Sequence, residues 1–585
     1  MRPLLLLLAC AIPAVAETRY EIRVEQASSR TLTVVVEAAC PPPACEFQLP
    51  VWNATYQVRD FAQYVTAFRA ARPGGEALGW RLVTPSRWRV EAAGERVRIT
   101  YQYLADNPGP FGCSASERHV FLNFAQILMY PAGALRQPMT VAFRNLPMGW
   151  KIALELPQRD GVFQARHYDE LVDSPAELSA FAETSFELGG KRVRVVVDAE
   201  ASDYDMARLE QTARKVAAAG AEIMQDVPFP AYTFIYHFRP GGGGGMEHAN
   251  STAIDQRPCR DCDFSGITAH EFFHLWNVKR IRPASLEPID YTRENPTPSL
   301  WFSEGVTSTY GTYIQRHAGL LDRAGFLRRL EGAITRYERT PARLEQSLEE
   351  SSIAAWLERY PGYRRSARSI SYYLKGELAG YLLDLAIRHH SSNRRSLDDL
   401  MRRLNTEYAQ KGRFFEDTEG LERIASELAG RSLREFFDQV VRRPAAIEWN
   451  QYLAHAGYQA VSDAAALPSL GLEVSGGPQR GVVTQRDGGG AAEKAGIQVG
   501  DRIVSINRQP LGRDLGADLE SLALAPGAKV EVELERAGRT LTVAAVPDSV
   551  LRTAYRIREN PRASPQEKAV REGWLRGGPV NRTKP

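Results

Sequence analysis

The chain has 585 residues, 44% of them hydrophobic, with 73 Lys and Arg against 70 Asp and Glu and a net charge of +3. At roughly 150 residues per domain this is enough for three or four units with cores of their own. The composition excludes a disordered chain, and the near balance of charge excludes a nucleic-acid binder built on a strongly basic face.

The first sixteen residues, MRPLLLLLACAIPAVA, join one early charge, Arg2, to an apolar run and the small-residue site Ala14-Val15-Ala16. That order predicts a secretory signal peptide over 1–16, cleavage near Ala16, a mature start near Glu17 and a periplasmic or secreted protein. The run is short of the roughly 20 apolar residues a membrane span needs, so no transmembrane anchor is expected; a lipoprotein signal ending at Cys10 is the second reading. Five further cysteines follow: Cys40, Cys45, Cys113, Cys259 and Cys262. In an oxidising compartment Cys40 with Cys45 and Cys259 with Cys262 are near enough to pair, leaving Cys113 over. A zinc knuckle made from the two pairs is the less favoured alternative.

From Glu17 to about Gly190, runs such as RYEIRVEQ, TLTVVVEAA, RVRITYQY and MTVAFRNL alternate and are broken by Pro and Gly, predicting a β-rich domain over 17–190. A helix is expected over about 205–225 and a strand over 232–238, after which amphipathic segments continue to about 442, so 191–455 is a mixed unit with a helical half. Strand spacing returns over 466–548, with one helix around 514–524. Residues 549–585 form a basic tail, nine Arg or Lys against three Glu, with a short helix capped by Ser564. The fold class is therefore multidomain α+β. The only low-complexity piece is the glycine run Gly241–Gly245.

Within ITAHEFFHLW, at 267–276, His270 and His274 stand four apart with Glu271 between them. On a helix that spacing directs both imidazoles to one point, where they suit zinc, and sets Glu271 beside a metal-bound water. Ile267, His270, His274, Leu275 and Val278 form one helical stripe that turns this side toward the fold. A third ligand is expected from a separate element: Glu304, 30 positions after His274, in SLWFSEGVTSTYGTY, where Trp301, Val306, Tyr310 and Tyr313 recur near helical intervals. Two histidines and one carboxylate leave an open position for water, the catalytic rather than the structural arrangement of zinc, with one ion per chain.

HEFFHLW followed by LWFSEG resembles the gluzincin metallopeptidases, and the block HEFFHLWNVKRIRP at 270–283 is similar to the glycyl aminopeptidase family. The resemblance implies a thermolysin-like catalytic domain and removal of small first residues, Gly or Ala, from peptides with a free N-terminus. In the more distant aminopeptidase N group the ligand glutamate follows the second histidine at a shorter interval, which makes Glu294 a competing third ligand, though its Pro-rich surroundings suit a helix poorly. GGMEH at 244–248 resembles the exopeptidase motif of that group. It implies that the edge strand at Gly244, Gly245 and Met246 offers its backbone to the substrate and that Glu247 holds the α-amine, with His248 in place of the usual asparagine. The Y-x-K-G of SYYLKGELAGYLLDL is similar to the segment carrying the catalytic tyrosine, which matches Tyr373; Tyr372 and Tyr381 are its neighbours in the same helical pattern. Glu271 is then the general base and Tyr373 the donor to the oxyanion. Asn277, Lys279, Arg280 and Arg282 follow as cations and amide at a helix end, complementing its dipole, with substrate holding as the lesser reading.

LPSLGLEV at 467–474 and AGIQVGDRIVSINRQPL at 495–511 resemble a bacterial PDZ domain, in which Leu470, Gly471 and Leu472 would offer backbone N–H groups to the C-terminal carboxylate of a peptide. The leading expectation is thus a secreted or periplasmic zinc aminopeptidase. A periplasmic endopeptidase that recruits protein C-termini through the PDZ domain, and a catalytically inactive PDZ scaffold, are the two alternatives.

Overall fold

The computed structural model describes residues 17–576 apart from 27–28, 41–42, 54–55, 93, 361, 365, 476–480, 512–514, 523 and 525–526. The expected leader, with Cys10, lies outside the described residues. No helix among the described residues is long and apolar enough to cross a membrane. The chain divides into two compact units. One takes the residues up to Phe326, Thr340–Tyr458 and the chain from Asn560; the other takes Leu327–Arg339 and Gln459–Glu559.

The first unit opens with an eight-stranded sheet and two four-stranded sheets. Alternation explains why these segments are strands: in Arg96–Leu104 the inward residues Val97, Ile99, Tyr101 and Tyr103 are buried while their neighbours are half-buried or exposed. Thr18–Gln26 lies between Thr31–Ala39, antiparallel, and Met139–Arg144, parallel. The core under these strands gathers Tyr20, Ile22, Leu32, Val34, Val36, Ile99 and Tyr101. Cys40 is bonded to Cys45 and Cys259 to Cys262, so neither pair is available for a zinc knuckle. Cys113 is the buried free thiol, and burial pushes it up to about 12.

A five-stranded sheet follows, in the order Ala182–Leu188, Lys191–Asp198, Ala231–Phe238, Ser251–Gln256, Gly245–Glu247. Its first strand forms a hairpin with its second across the Gly189-Gly190 turn, so this sheet begins at Ala182, ahead of the change in sequence texture at 190. The helix Met206–Met224, capped by the Asp205 side chain at one end and by Gln225 in the left-handed region at the other, connects the parallel pair Lys191–Asp198 and Ala231–Phe238. Long helices then complete the unit, among them Thr307–His317 and Tyr372–His390.

Two elements differ from the sequence expectation. The helix carrying the histidines ends at Phe273, with His274 as its C-cap. Leu275 and Val278 therefore lie beyond it, and Val278 has a φ of 133°, strained for a β-branched residue. The basic tail also does not stay together. Asp548–Glu559 is a strand paired with Tyr458–Ser469, whose Tyr555 and Ile557 N–H groups donate to Thr335 and Glu331. Pro565–Arg576 is a helix of the first unit, with Ser564 and Glu567 forming a capping box and Trp574 Nε1 donating to the Tyr313 hydroxyl at 2.8 Å.

The second unit holds a four-stranded sheet, Gln509–Pro510, Arg502–Ile506, Val530–Arg536 and Arg539–Ala545, and the pair Leu472–Val474 with Val483–Arg486. Its helix Leu515–Ser521 falls inside the expected 514–524, of which 514 and 523 lie outside the described residues. Leu470, Val483, Ile497, Ile503, Ile506, Leu519 and Val532 fill its core.

Candidate active site

His270 and His274 project from the helix Ser265–Phe273 and its cap, and Glu304 from the wide π-helical turn Trp301–Val306 that leads into Thr307–His317. Their donor atoms converge. His270 Nε2 lies 3.1 Å from His274 Nε2 and 3.7 Å from Glu304 Oε2, and His274 Nε2 lies 3.3 Å from Glu304 Oε2. The other ring nitrogens are engaged: His274 Nδ1 with the Asn277 carbonyl at 2.8 Å and His270 Nδ1 with the Ser308 hydroxyl at 3.3 Å. Such partners fix the tautomer and turn both Nε2 atoms to the common point. Glu294 is exposed in the turn before this segment and takes no part in the cluster.

A second trio shares His274. Oxygens of Glu247 and Glu271 and a nitrogen of His274 lie within 4.8 Å of one another. Three carboxylates thus face two imidazoles in a buried site. Burial drives the Glu271 carboxyl up to about 8, with Glu247 and Glu304 adding to the shift and His274 opposing it. Burial also works against a charge on His274, yet Glu304 and then Glu247 and Glu271 raise it to about 10. The excess of negative charge, the Nε2, Nε2 and Oε2 spacing and the tautomer-fixing hydrogen bonds together fit a divalent cation on His270, His274 and Glu304.

The glycine run ends where the site needs a residue without a side chain. Gly245 lies in the edge strand Gly245–Glu247, antiparallel to Ser251–Gln256, and a Cβ there would come within 2.5 Å of the Glu271 carboxyl carbon. The backbone thereby passes directly over the general-base candidate, with Gly244 at a φ of 106° to turn it in and Met246 buried beneath. His248 is buried and turned from the donor cluster: its Nδ1 lies 3.4 Å from Asp173 Oδ1, which Lys279 meets at 2.6 Å. The strand end is so fixed to the loop beyond the histidine helix.

Tyr373 stands in the first turn of Tyr372–His390, its ring 6.3 Å from the His270 ring. Burial, then the charge of Glu304, pushes its phenol well above the usual range, so it remains a hydrogen-bond donor. The Tyr372 ring lies 4.7 Å from that of Tyr373 at an angle of 31°, and Tyr381 donates to Glu377 within the core beside Trp574. The helix approaches closely because two glycines touch: a Cβ on Gly305 would run into Gly376, and one on Gly376 would lie 2.5 Å from the Trp301 carbonyl oxygen. Gly376→Ala therefore pushes Tyr373 and Glu304 apart. The expected cost is about 1–3 kcal/mol, read as a lower denaturant midpoint with a parallel loss of metal occupancy.

Three contributors act in ways the sequence motifs did not show. Tyr56, from the β-rich region 248 positions away, donates to Glu304 Oε1 at 3.5 Å. Ser308 holds His270. Asn277 binds the Phe302 carbonyl at 2.8 Å and the Thr307 hydroxyl at 3.1 Å, tying the histidine helix to the Glu304 turn. Arg280 donates to the carbonyls of Leu275 and Ala249, and Arg282 pairs with Glu287, so this stretch braces the loop rather than only the helix end. Beside the cluster opens a cleft of about 470 Å³ lined by Trp52, Tyr56, Met246, Glu247, Lys279 and Arg282.

In the second unit, Leu470 is buried and Leu472 half-buried, and Gly471 turns the chain at a φ of 65°. The Gly471 N–H already donates to the Ser469 hydroxyl at 3.2 Å, a contact that a bound carboxylate would replace.

Comparison with known families matches residues 263–379 to the M61 glycyl aminopeptidase, 19–180 to the peptidase M61 N-terminal domain and 482–536 to the PDZ domain. Among solved structures, the chain is similar to an aminopeptidase N family protein from Idiomarina loihiensis, with a TM-score of 0.81 and 23% identity over 95% of this chain and 100% of that one. This likeness is one of fold. An M1 zinc metallopeptidase from Deinococcus radiodurans is similar at a TM-score of 0.48 and 14% identity, over 74% of this chain and 95% of that one, too distant to carry an argument. A curated relative, a probable periplasmic serine endoprotease DegP-like protein of Pseudomonas fluorescens, is 43% identical over 86 residues, which is 14% of this chain and only 17% of that protein's length. The chain carries the N-terminal and peptidase domains of the M61 glycyl aminopeptidase family together with a PDZ domain.

Proposed function

We propose that the chain is a zinc-dependent aminopeptidase that removes small first residues, Gly or Ala, from peptides. The observation that carries this reading is the position of Glu247: a carboxylate at the end of an edge strand, within 4.8 Å of both Glu271 and His274 donors. His270, His274 and Glu304 would hold a zinc ion, which would supply Lewis acidity at the scissile carbonyl and lower the pKa of a bound water. Glu271 takes the proton of the attacking water and returns it to the departing amine. Tyr373 donates a hydrogen bond to the developing oxyanion. The backbone of Gly244, Gly245 and Met246 pairs with the extended peptide, while Glu247 binds its α-ammonium, so the scissile bond is counted from the N-terminus.

The test is hydrolysis of Gly-Ala and of N-acetyl-Gly-Ala, each with and without a chelator. We expect chelator-sensitive cleavage of the free dipeptide alone. Glu247→Gln should raise KM for the free dipeptide by about tenfold or more, since a charge-assisted hydrogen bond contributes about 1.5–3 kcal/mol. Equal cleavage of the blocked peptide would favour the endopeptidase reading instead.

The two disulfides accord with export to an oxidising compartment, and N-terminal sequencing of secreted protein should begin near Glu17. The PDZ unit is assigned capture of peptide C-termini at Leu470, Gly471 and Leu472, with the peptide adding a strand to Leu472–Val474.

A further inference from the structure

A second cluster of two histidines and two carboxylates lies outside the site just described. His119 begins the strand His119–Leu122, and Glu177 lies on its antiparallel neighbour Ala176–Ser179. Asp198 ends Lys191–Asp198, and its register partner in the parallel neighbour Ala231–Phe238 is His237. An imidazole and a carboxylate therefore come from each of two sheets, one in the M61 N-terminal domain and one in the sheet that carries Glu247.

Donors of His119, Glu177 and His237 all lie within 4.8 Å of one another, as those of each active-site trio do, and Asp198 stands outside that trio, beside His119. His237 Nε2 is 3.0 Å from Glu177 Oε2, His119 Nδ1 is 3.3 Å from Asp198 Oδ2, and His119 Nδ1 is 3.7 Å from Glu177 Oε2. The corresponding active-site separations are 3.1, 3.3 and 3.7 Å. Donors around a tetrahedral ion with bonds of about 2.0–2.1 Å stand about 3.3–3.4 Å apart. The Glu177 side chain has no exposed surface, and both its Oε1 and His119 Nδ1 are buried without a hydrogen bond among the described residues. Buried polar atoms are rarely left so unless something else satisfies them. The remaining ring nitrogen of His119 faces the Ser114 hydroxyl at 3.5 Å, and the Phe121 ring closes the cluster edge-on to His237 at 4.9 Å. His119 and Asp198 keep 21% and 22% of their side-chain surface exposed, which gives an ion a way in.

We propose that His119, Glu177 and His237 form a second divalent-cation site, for zinc or a similar ion, that staples the N-terminal β-rich domain to the catalytic sheet, with Asp198 as the acidic neighbour of His119. Glu177 and the nearby Asp198 balance a dication with both imidazoles neutral, and an ion held by residues of two sheets couples metal binding to their association, so the role is structural. Nothing in it depends on the aminopeptidase reading.

The decisive experiment loads the full chain with cobalt(II) and counts ions by mass spectrometry of the metal while recording visible absorption. The parent should hold two ions and His119→Ala one, with Gly-Ala hydrolysis retained. The His270→Ala/His274→Ala double variant should keep one ion with a visible cobalt spectrum, lost on adding His119→Ala or Glu177→Gln. Equal metal content in the parent and His119→Ala, or no bound ion in the double variant, would overturn the proposal and leave the cluster as ion-paired imidazolium and carboxylate groups. Two ions retained in the double variant would instead sink the active-site assignment.

Discussion

Glu271→Gln should lower kcat by about 10²–10⁴ while KM and bound metal stay at the parent values. The amide has the shape of the acid, so it keeps the contact over Gly245 and leaves the backbone of the edge strand in place. What disappears is a carboxyl that burial, with Glu247 and Glu304, lifts above its ordinary range, the group placed to take and return the proton. The same variant decides which trio holds the ion. Both share His274, but only one uses Glu271. If the ion rests on His270, His274 and Glu304, elemental analysis finds it undiminished in Glu271→Gln. If it rests on Glu247, Glu271 and His274, occupancy falls together with kcat, and the assignment of Glu271 as the base fails.

The spacing of His270, Glu271 and His274 made the chemistry legible, because four residues on a helix bring two imidazoles together whatever the rest of the fold does. Glu304 was legible for a related reason. Its neighbours Trp301, Val306, Tyr310 and Tyr313 recur near helical intervals, although those intervals did not announce the π turn that carries it, a feature frequent at functional sites. Alternation made the β-rich domain and its strands readable to within a few residues. Other parts could not be read, since they depend on close approach between elements far apart in the chain. Gly245 looks like the end of a flexible run until Glu271 is seen beneath it, and Gly376 looks like a helix defect until Gly305 is seen against it. Tyr56 belongs to a different domain and reaches Glu304 only through the tertiary fold. The second histidine cluster was invisible on the same ground: its three donor residues are scattered from 119 to 237, with no two on one turn of helix.

Tyr373→Phe should lower kcat by about 10²–10³, the effect of deleting one donor to a developing oxyanion, equivalent to about 2.7–4 kcal/mol. Phenylalanine keeps the ring beside His270 and its contact with the Tyr372 ring, so stability and metal content should hold. Two properties favour this phenol over its neighbours. Its high proton affinity keeps the hydrogen in place beside Glu304, and its ring is the one that faces His270. Tyr56 tests the distinction, because it also reaches the site but through Glu304 Oε1. Tyr56→Phe removes a partner of the ligand carboxylate, so it should weaken metal binding by about 10–100-fold and restore kcat when excess zinc is supplied. Tyr373→Phe should show the reverse, with full metal occupancy and a low kcat that zinc does not rescue. A Tyr373→Phe enzyme as fast as the parent would remove this residue from the chemistry and leave stabilisation of the oxyanion to the cation alone.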